Sequence, residues 1–268
     1  MILEVRIAMK KEKTRINPHL KWFTLGAILF FLGYCELLQA HPKDPSGHAL
    51  TQISTFTAVR NGVFDGDYTV RQLQQRGDFG LGTFNGTDGN LIAVDNEFYH
   101  ADDDGIVRKA AAISKVPFAM VVYFKGTGKQ KIPTKKSVQE IETYLQSYIT
   151  AKNIPHAIRI DGKAKSAQVI VYKSQQRPYP PLSDSSIEKK EYKIVNQDVT
   201  MIGFWFPDYL DGVNVPGFNF YIINEDRSIG GRLIDINLGH GEVELMPISQ
   251  LDIKLPHNKR FMEVDLNQ

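Results

Sequence analysis

The spacing of apolar and polar positions along the chain changes period several times, and each change marks an element. Residues 53–59 alternate at a period of two and predict a strand, followed by turns at Asn61-Gly62 and Asp65-Gly66-Asp67. Thr69 stands where it can cap a short helix running to Arg76. Residues 79–84 and 91–94 read as strands around the turn Asn85-Gly86-Thr87-Asp88-Gly89, and residues 119–124, apolar almost throughout, as a buried strand. At Ser137 the period lengthens to that of a helix. Val138, Ile141, Leu145, Tyr148 and Ile149 fall on one face, and Ser137 with Glu140 supplies a capping box. Strand spacing returns at 157–160 and 168–172.

Residues 177–184, Arg177-Pro178-Tyr179-Pro180-Pro181-Leu182-Ser183-Asp184, break the pattern, because adjacent prolines stiffen the backbone and remove ladder donors. Beyond them, residues 199–206, 218–223, 231–237 and 242–246 are short strand candidates, and Gly239-His240-Gly241 reads as a hairpin turn. The expected fold class is therefore α+β, with two β-rich lobes. Residues 41–177 would form a mixed sheet that carries the helix, 178–184 a Pro-rich linker, and 185–268 a mainly antiparallel sheet.

Composition narrows the function classes. A net charge of +2, with several basic residues within the first 21 positions, leaves the remainder near neutral and argues against a nucleic-acid partner. Cys35 is the single cysteine, so neither an internal disulfide nor a multi-thiolate metal site can form. Lys10, Lys11, Lys13, Arg15 and Lys21 precede an uncharged apolar run at 22–35, and the small Ala40 stands before a polar stretch. That order predicts a signal peptide over residues 1–40, starting at Met1 or Met9, and an exported protein, periplasmic or extracellular. The alternative is a membrane anchor at residues 22–38, the only route by which the chain would meet a membrane.

Local motifs add little chemistry. The glycines of Gly80-Leu81-Gly82-Thr83-Phe84-Asn85-Gly86 lack the spacing of a dinucleotide loop. Asp102-Asp103-Asp104-Gly105 has no downstream Glu at calcium-loop spacing and reads as a solvated turn. His48, His100, His156, His240 and His257 are scattered, with no pair at ligand spacing.

A longer series of blocks carries more information. Asp65-Gly66-Asp67, the run from Gly77 through Gly86 with Asp88-Gly89, Val116-Pro117-Phe118-Ala119, Ile158-Arg159-Ile160-Asp161-Gly162 and Pro178-Tyr179-Pro180-Pro181-Leu182 occur in that order. Asn214-Val215-Pro216-Gly217 and Glu225-Asp226-Arg227-Ser228-Ile229-Gly230-Gly231 follow. With these blocks, from about Ser54 to Leu266, the chain resembles the acetolactate decarboxylases. The resemblance implies their fold, a possible homodimer, and a zinc-dependent carbon–carbon lyase that converts 2-hydroxy-2-methyl-3-oxobutanoate to acetoin. In that family zinc is held by a His-x-His pair on one strand and a third His on its neighbour, and takes up the negative charge left by departing CO₂.

Here the pattern departs at every ligand. The His-x-His pair corresponds to Asn219 and Tyr221, and the third His to Arg232. The family's glutamate after the Asp-Gly turn corresponds to Asn90, and an arginine ahead of the Pro-rich segment to Ile170. An amide, a neutral phenol and a fixed cation are poor company for a dication. The expectation is a member without zinc or another cofactor, without an assignable catalytic residue, and without the family reaction: a pseudoenzyme. Asn90, Ile170, Asn219, Tyr221 and Arg232 would line the former site, and Arg232 would meet a small anionic metabolite. Alternatively, Arg232 fills the metal's space by pairing with Asp235 or Glu225. A further alternative is a rebuilt lyase, with a metal gathered from His240, Glu242 or His156, or with Arg232 as the electrostatic sink and no metal.

Overall fold

The computed structural model describes residues 48–267, so the predicted signal segment lies outside the described residues. One sheet is built from β1 (Ala49–Ile53), β3 (Phe79–Thr83), β4 (Asn90–Val94), β5 (Glu97–Ala101), β6 (Val107–Lys109), β8 (Phe118–Val122) and β14 (Gln250–Lys254). These seven strands lie in the order β14-β1-β8-β3-β4-β5-β6. Only the β1–β14 pairing is parallel, so the sheet is mixed. The second sheet is antiparallel and built on long strands: β10 (His156–Tyr172), β11 (Lys189–Phe206), β12 (Gly217–Asn224) and β13 (Gly230–Pro247), with β9 (Gln130–Ile132) beside β13. β10 pairs with both β11 and β13, and β12 with both β11 and β13, which closes the four strands into a ring. A short ribbon of β2 (Tyr68–Thr69) and β7 (Lys115–Val116) completes the strands.

The two bodies meet face to face. Leu81, Ile92 and Met120 of the mixed sheet share one buried cluster with Ile202, Phe204, Tyr221 and Ile223 of the ring. The intervening residues Met201, Phe220 and Ile222 turn to a second cluster, as the period of two requires. The outer face of the mixed sheet is covered by α2 (Val70–Gln74), whose Val70 and Leu73 pack with Leu91 and Phe98. Thr69 caps that helix in a complete capping box with Gln72, as its position predicts.

Several sequence expectations are corrected. The strand expected at 53–59 ends at Ile53, and α1 (Phe56–Arg60) follows because the Thr55 hydroxyl accepts the Ala58 N–H and starts a helix. The amphipathic helix forms as α3 (Val138–Gln146) with Ser137 as its cap. Its Glu140 carboxylate reaches back to the Lys136 N–H rather than to that of Ser137. Val138, Ile141 and Leu145 pack with Ile158, Leu238 and Val243, so the helix belongs to the ring and not to the mixed sheet.

The division at 178–184 does not hold either. β10 and β11 form one long hairpin across it, β14 returns to the mixed sheet, and the described residues fall in one compact unit. Gly239-His240-Gly241 is no hairpin turn, since His240 and Gly241 stand opposite Lys163 and Gly162 inside β13. A Cβ on Gly162 would lie 2.4 Å from the His240 carbonyl oxygen, and one on Gly241 2.7 Å from that of Asp161. These glycines permit two backbones to approach. The short C-terminal helix is α4 (Lys259–Glu263).

Candidate functional site: a cavity between sheet and ring

Asn219 and Tyr221 lie two residues apart on β12, so both side chains face the mixed sheet, and Tyr221 stands opposite Arg232 of β13 in the ladder. Across the interface, Asn90 begins β4, with its backbone paired to Thr83 and Ala101. These four residues line one cavity of ≈ 60 Å³, completed by Thr83, Thr87, Tyr172 and apolar walls that include Phe56, Phe118 and Leu182. That is room for about two waters or a molecule of a few heavy atoms. The Pro-rich segment has a role here beyond connection. Its Leu182 N–H donates to the Arg60 carbonyl (2.9 Å), Tyr179 packs on Phe64, and Leu182 closes the cavity.

Ile170 takes a different place. It is buried and stands opposite Arg232 in the β10–β13 ladder, but does not line the cavity. Tyr172, two residues on along the same strand, does line it and acts electrostatically on Tyr221. Period two from Ile170 was the available signal for Tyr172; Phe56, Thr83 and Thr87 had none.

The electrostatics are unusual for so small a space. Burial raises the Tyr221 phenol above its ordinary range, against the opposing effects of the Arg232 charge and a hydrogen bond from the Asn90 side chain. Tyr221 is therefore neutral at physiological pH. Asn90 is 1% exposed, and its Oδ1 has no hydrogen-bond partner; the Oδ1 of Asn219 is likewise buried and unpartnered. Among the described residues no carboxylate pairs with Arg232. Asp235 instead accepts from the Val138 N–H (3.4 Å), and Glu225 lines a separate groove.

The residues present can be tested against the zinc that the resemblance implies. The cavity lining contains no His, Cys, Asp or Glu, and it contains a guanidinium. Zinc needs anionic or imidazole donors, and a resident cation repels it. The residues do not fit the ion.

Metal-ligating groups elsewhere do not replace them. His240 and Glu242 border the groove, whereas His156 is buried opposite Trp205 and Pro247, at the other end of the β10–β13 ladder. Among the described residues one set of potential metal ligands converges, Asp88, His100 and Asp102, with ligand atoms within 4.8 Å of one another. It involves the turn that reads as solvated from sequence. His100 pairs with Leu91 in the ladder and packs on Phe84 (4.2 Å between rings), both on the outer face, away from the cavity. The His100 Nε2 lies 2.8 Å from the Asp88 carbonyl oxygen, to which it donates, and Arg108 pairs with both Asp102 (3.4 Å) and Asp104. Burial, with Asp102 and Asp103 close by, raises the Asp88 carboxyl, against the pull of His100.

Comparison with known proteins decides what this scaffold is. The alpha-acetolactate decarboxylase family model matches residues 50–268. This chain belongs to the alpha-acetolactate decarboxylase family. The Brevibacillus brevis alpha-acetolactate decarboxylase is 33% identical over 221 residues, covering 82% of this chain and 78% of the relative. The crystal structure of the Bacillus subtilis strain 168 enzyme superposes with a TM-score of 0.79 at 31% identity, covering 82% of this chain and 94% of that one. A Staphylococcus aureus protein of unknown function, described as similar to alpha-acetolactate decarboxylase, superposes with a TM-score of 0.77 at 26% identity, covering 81% of this chain and 94% of that one. The family's fold, two β-rich bodies facing each other across a core, is thus established for this chain.

Proposed function

We propose that this member of the acetolactate decarboxylase family has given up zinc-dependent decarboxylation and uses the cavity to bind a small organic anion. The observation that supports this reading is Arg232: a half-buried guanidinium with no carboxylate partner, in a cavity whose lining has no acidic residue. A cation kept there without a counter-charge is costly unless something anionic arrives, and a planar guanidinium suits a carboxylate through paired hydrogen bonds. The neutral Tyr221 hydroxyl and the amides of Asn90 and Asn219 would orient the ligand by hydrogen bonding. The basic-then-apolar order of residues 1–40 supports export, so the anion would be met outside the cytoplasm.

The test is metal analysis of the purified protein combined with an acetoin assay on the same sample, supplied with acetolactate and zinc. The expected result is no stoichiometric metal and no acetoin above the spontaneous rate. Bound zinc with catalytic acetoin release would overturn the reading and point to residues outside the family motif.

A further inference from the structure

Thr87 and Asn90 line the cavity, and Asp88 between them meets His100 of β5 and Asp102, which directly follows that strand. Three chain segments thus bring an imidazole and two carboxylates together, with ligand atoms within 4.8 Å of one another. An ion with donors at about 2.1 Å spans roughly 4.2 Å between opposite ligands, and both carboxylates are exposed enough to close the difference by rotation. The imidazole is already placed. Its ring packs on Phe84, and its Nε2 lies 2.8 Å from the Asp88 carbonyl oxygen and 3.9 Å from the Asp88 carboxylate. Gly89 keeps that nitrogen approachable, since a Cβ there would lie 2.8 Å from it. Charge points the same way. Asp88, Asp102, Asp103 and Asp104 bring four negative charges, and among the described residues the side chains of Arg108 and Lys190 answer two. Arg108 is engaged mainly by Asp104 (2.5 Å) and reaches Asp102 only at 3.4 Å. The surplus equals the charge of a divalent ion.

We infer that Asp88, His100 and Asp102 form an exchangeable site for a divalent transition-metal ion such as zinc. The ion would tie β5 and the turn after it to the turn at residues 85–89. One imidazole with two carboxylates suits such an ion, whereas calcium takes oxygen donors and would leave the imidazole unused. The ring proton, on Nε2 while that atom donates to Asp88, moves to Nδ1 when the ion takes Nε2. Neutral imidazole then binds with no net loss of a proton. With three protein ligands, two of them partly exposed carboxylates, the ion leaves in chelating buffer, so protein purified in that way is still expected to carry none. None of the three ligands lines the cavity, so this site and the anion reading stand or fall separately.

Calorimetric titration of the chelator-treated protein with zinc and, separately, with calcium tests this directly. One equivalent of zinc is expected, bound at least about tenfold more tightly than calcium. H100Q, whose amide keeps a donor for the Asp88 carbonyl, and D102N should each weaken zinc about tenfold or more, while R232M should leave it unchanged. Saturating zinc should also slow amide hydrogen exchange across residues 85–90. Zinc and calcium bound equally, or zinc bound as tightly by H100Q, would reduce the cluster to an acidic turn and overturn the site. No zinc binding would overturn it as well. The preference for zinc over calcium is read on the unaltered protein, so a decision does not depend on the variants folding.

Discussion

The cavity at Arg232 and the broad groove along the ring handle charge in opposite ways. The groove is far larger, ≈ 920 Å³, and includes Asp161, Lys163, Asp198, Arg227 and Glu242. Most of these charges are already answered. Asp161 receives Arg159 (2.7 Å) and the Thr200 hydroxyl (2.8 Å), Asp95 bridges Arg159 (2.6 Å) and Arg227 (2.9 Å), and Lys163 lies 3.8 Å from Asp198. Burial works against the Arg159 charge, but its two carboxylates outweigh it and hold the guanidinium more firmly protonated than usual. The smaller cavity has one cation, no carboxylate and two unpartnered oxygens. Size favours the groove as a binding site, and unmet chemistry favours the cavity. Charges that satisfy one another hold a fold together, whereas on the reading proposed above Arg232, which has no carboxylate partner among the described residues, is open to a ligand.

The hardest test of that contrast is to put the family ligands back. N219H, Y221H and R232H together, with N90E, should give the cavity a zinc-binding set of side chains. One equivalent of zinc is expected by elemental analysis, with affinity at least about a thousandfold above the unaltered protein. A variant that folds and still takes no zinc would show that the scaffold itself, and not only these side chains, has closed the site.

Next in size is a crossed pair of substitutions. R159M leaves Asp95 and Asp161 without their shared cation. It should lower unfolding stability by about 1–2 kcal/mol, discounted for the exposure of Asp95, while leaving carboxylate binding intact. R232M should do the reverse, abolishing binding with unchanged or slightly higher stability, because no partner is stranded. Denaturant unfolding and calorimetry on both variants read the two effects separately. Equal destabilisation by R232M would make Arg232 a structural residue.

A smaller effect is expected at Asn219, whose carbonyl oxygen is buried without a partner. N219L should raise stability by up to about 1 kcal/mol while weakening binding, the usual signature of a residue kept for a ligand. Thermal unfolding with and without a small carboxylate such as acetate separates the two contributions.

The same contrast explains what could be read from the sequence. Elements came through wherever one local rule decided them: the Thr69 cap, the face of α3, and the paired strands β3 and β4 around Gly86. The long strands were read as fragments, because β13 runs straight through Gly239-His240-Gly241, where the glycines admit a close neighbouring backbone that no local pattern announces. At the site, the departures at Asn219, Tyr221 and Arg232 were legible because a strand's period of two and the family's ligand positions put them together. That Arg232 has no carboxylate partner was not legible. Asp235 is only three residues away, but Leu233 and Asp235 follow the pleat and a register shift, and Asp235 ends beside the Val138 N–H of α3. Charge compensation is a tertiary property, and proximity along the chain is a poor guide to it.

The mildest prediction concerns His156, which belongs to the compensated part of the molecule. The ring is 5% exposed, packs edge-on against Trp205 (5.9 Å), and has its Nδ1 3.0 Å from the Ile154 carbonyl oxygen, to which it donates. Burial lowers its pKa below the ordinary value of 6.5, and that hydrogen bond only partly opposes the shift. The unfolded chain, with an ordinary His, takes up its proton first as pH falls through 6.5. Stability contributed by the neutral ring is thus complete above that pH and declines below it, levelling off once the folded state also protonates. H156Q should flatten this part of the stability profile between about pH 7 and 5, measured by denaturant midpoints. Carboxylate binding at Arg232 should keep its own pH profile in H156Q, since burial holds the Tyr221 phenol neutral across that range and His156 does not line the cavity. If H156Q moved the binding profile as well, the cavity and the ring's far end would be coupled, and the separation between compensated and uncompensated charge would fail.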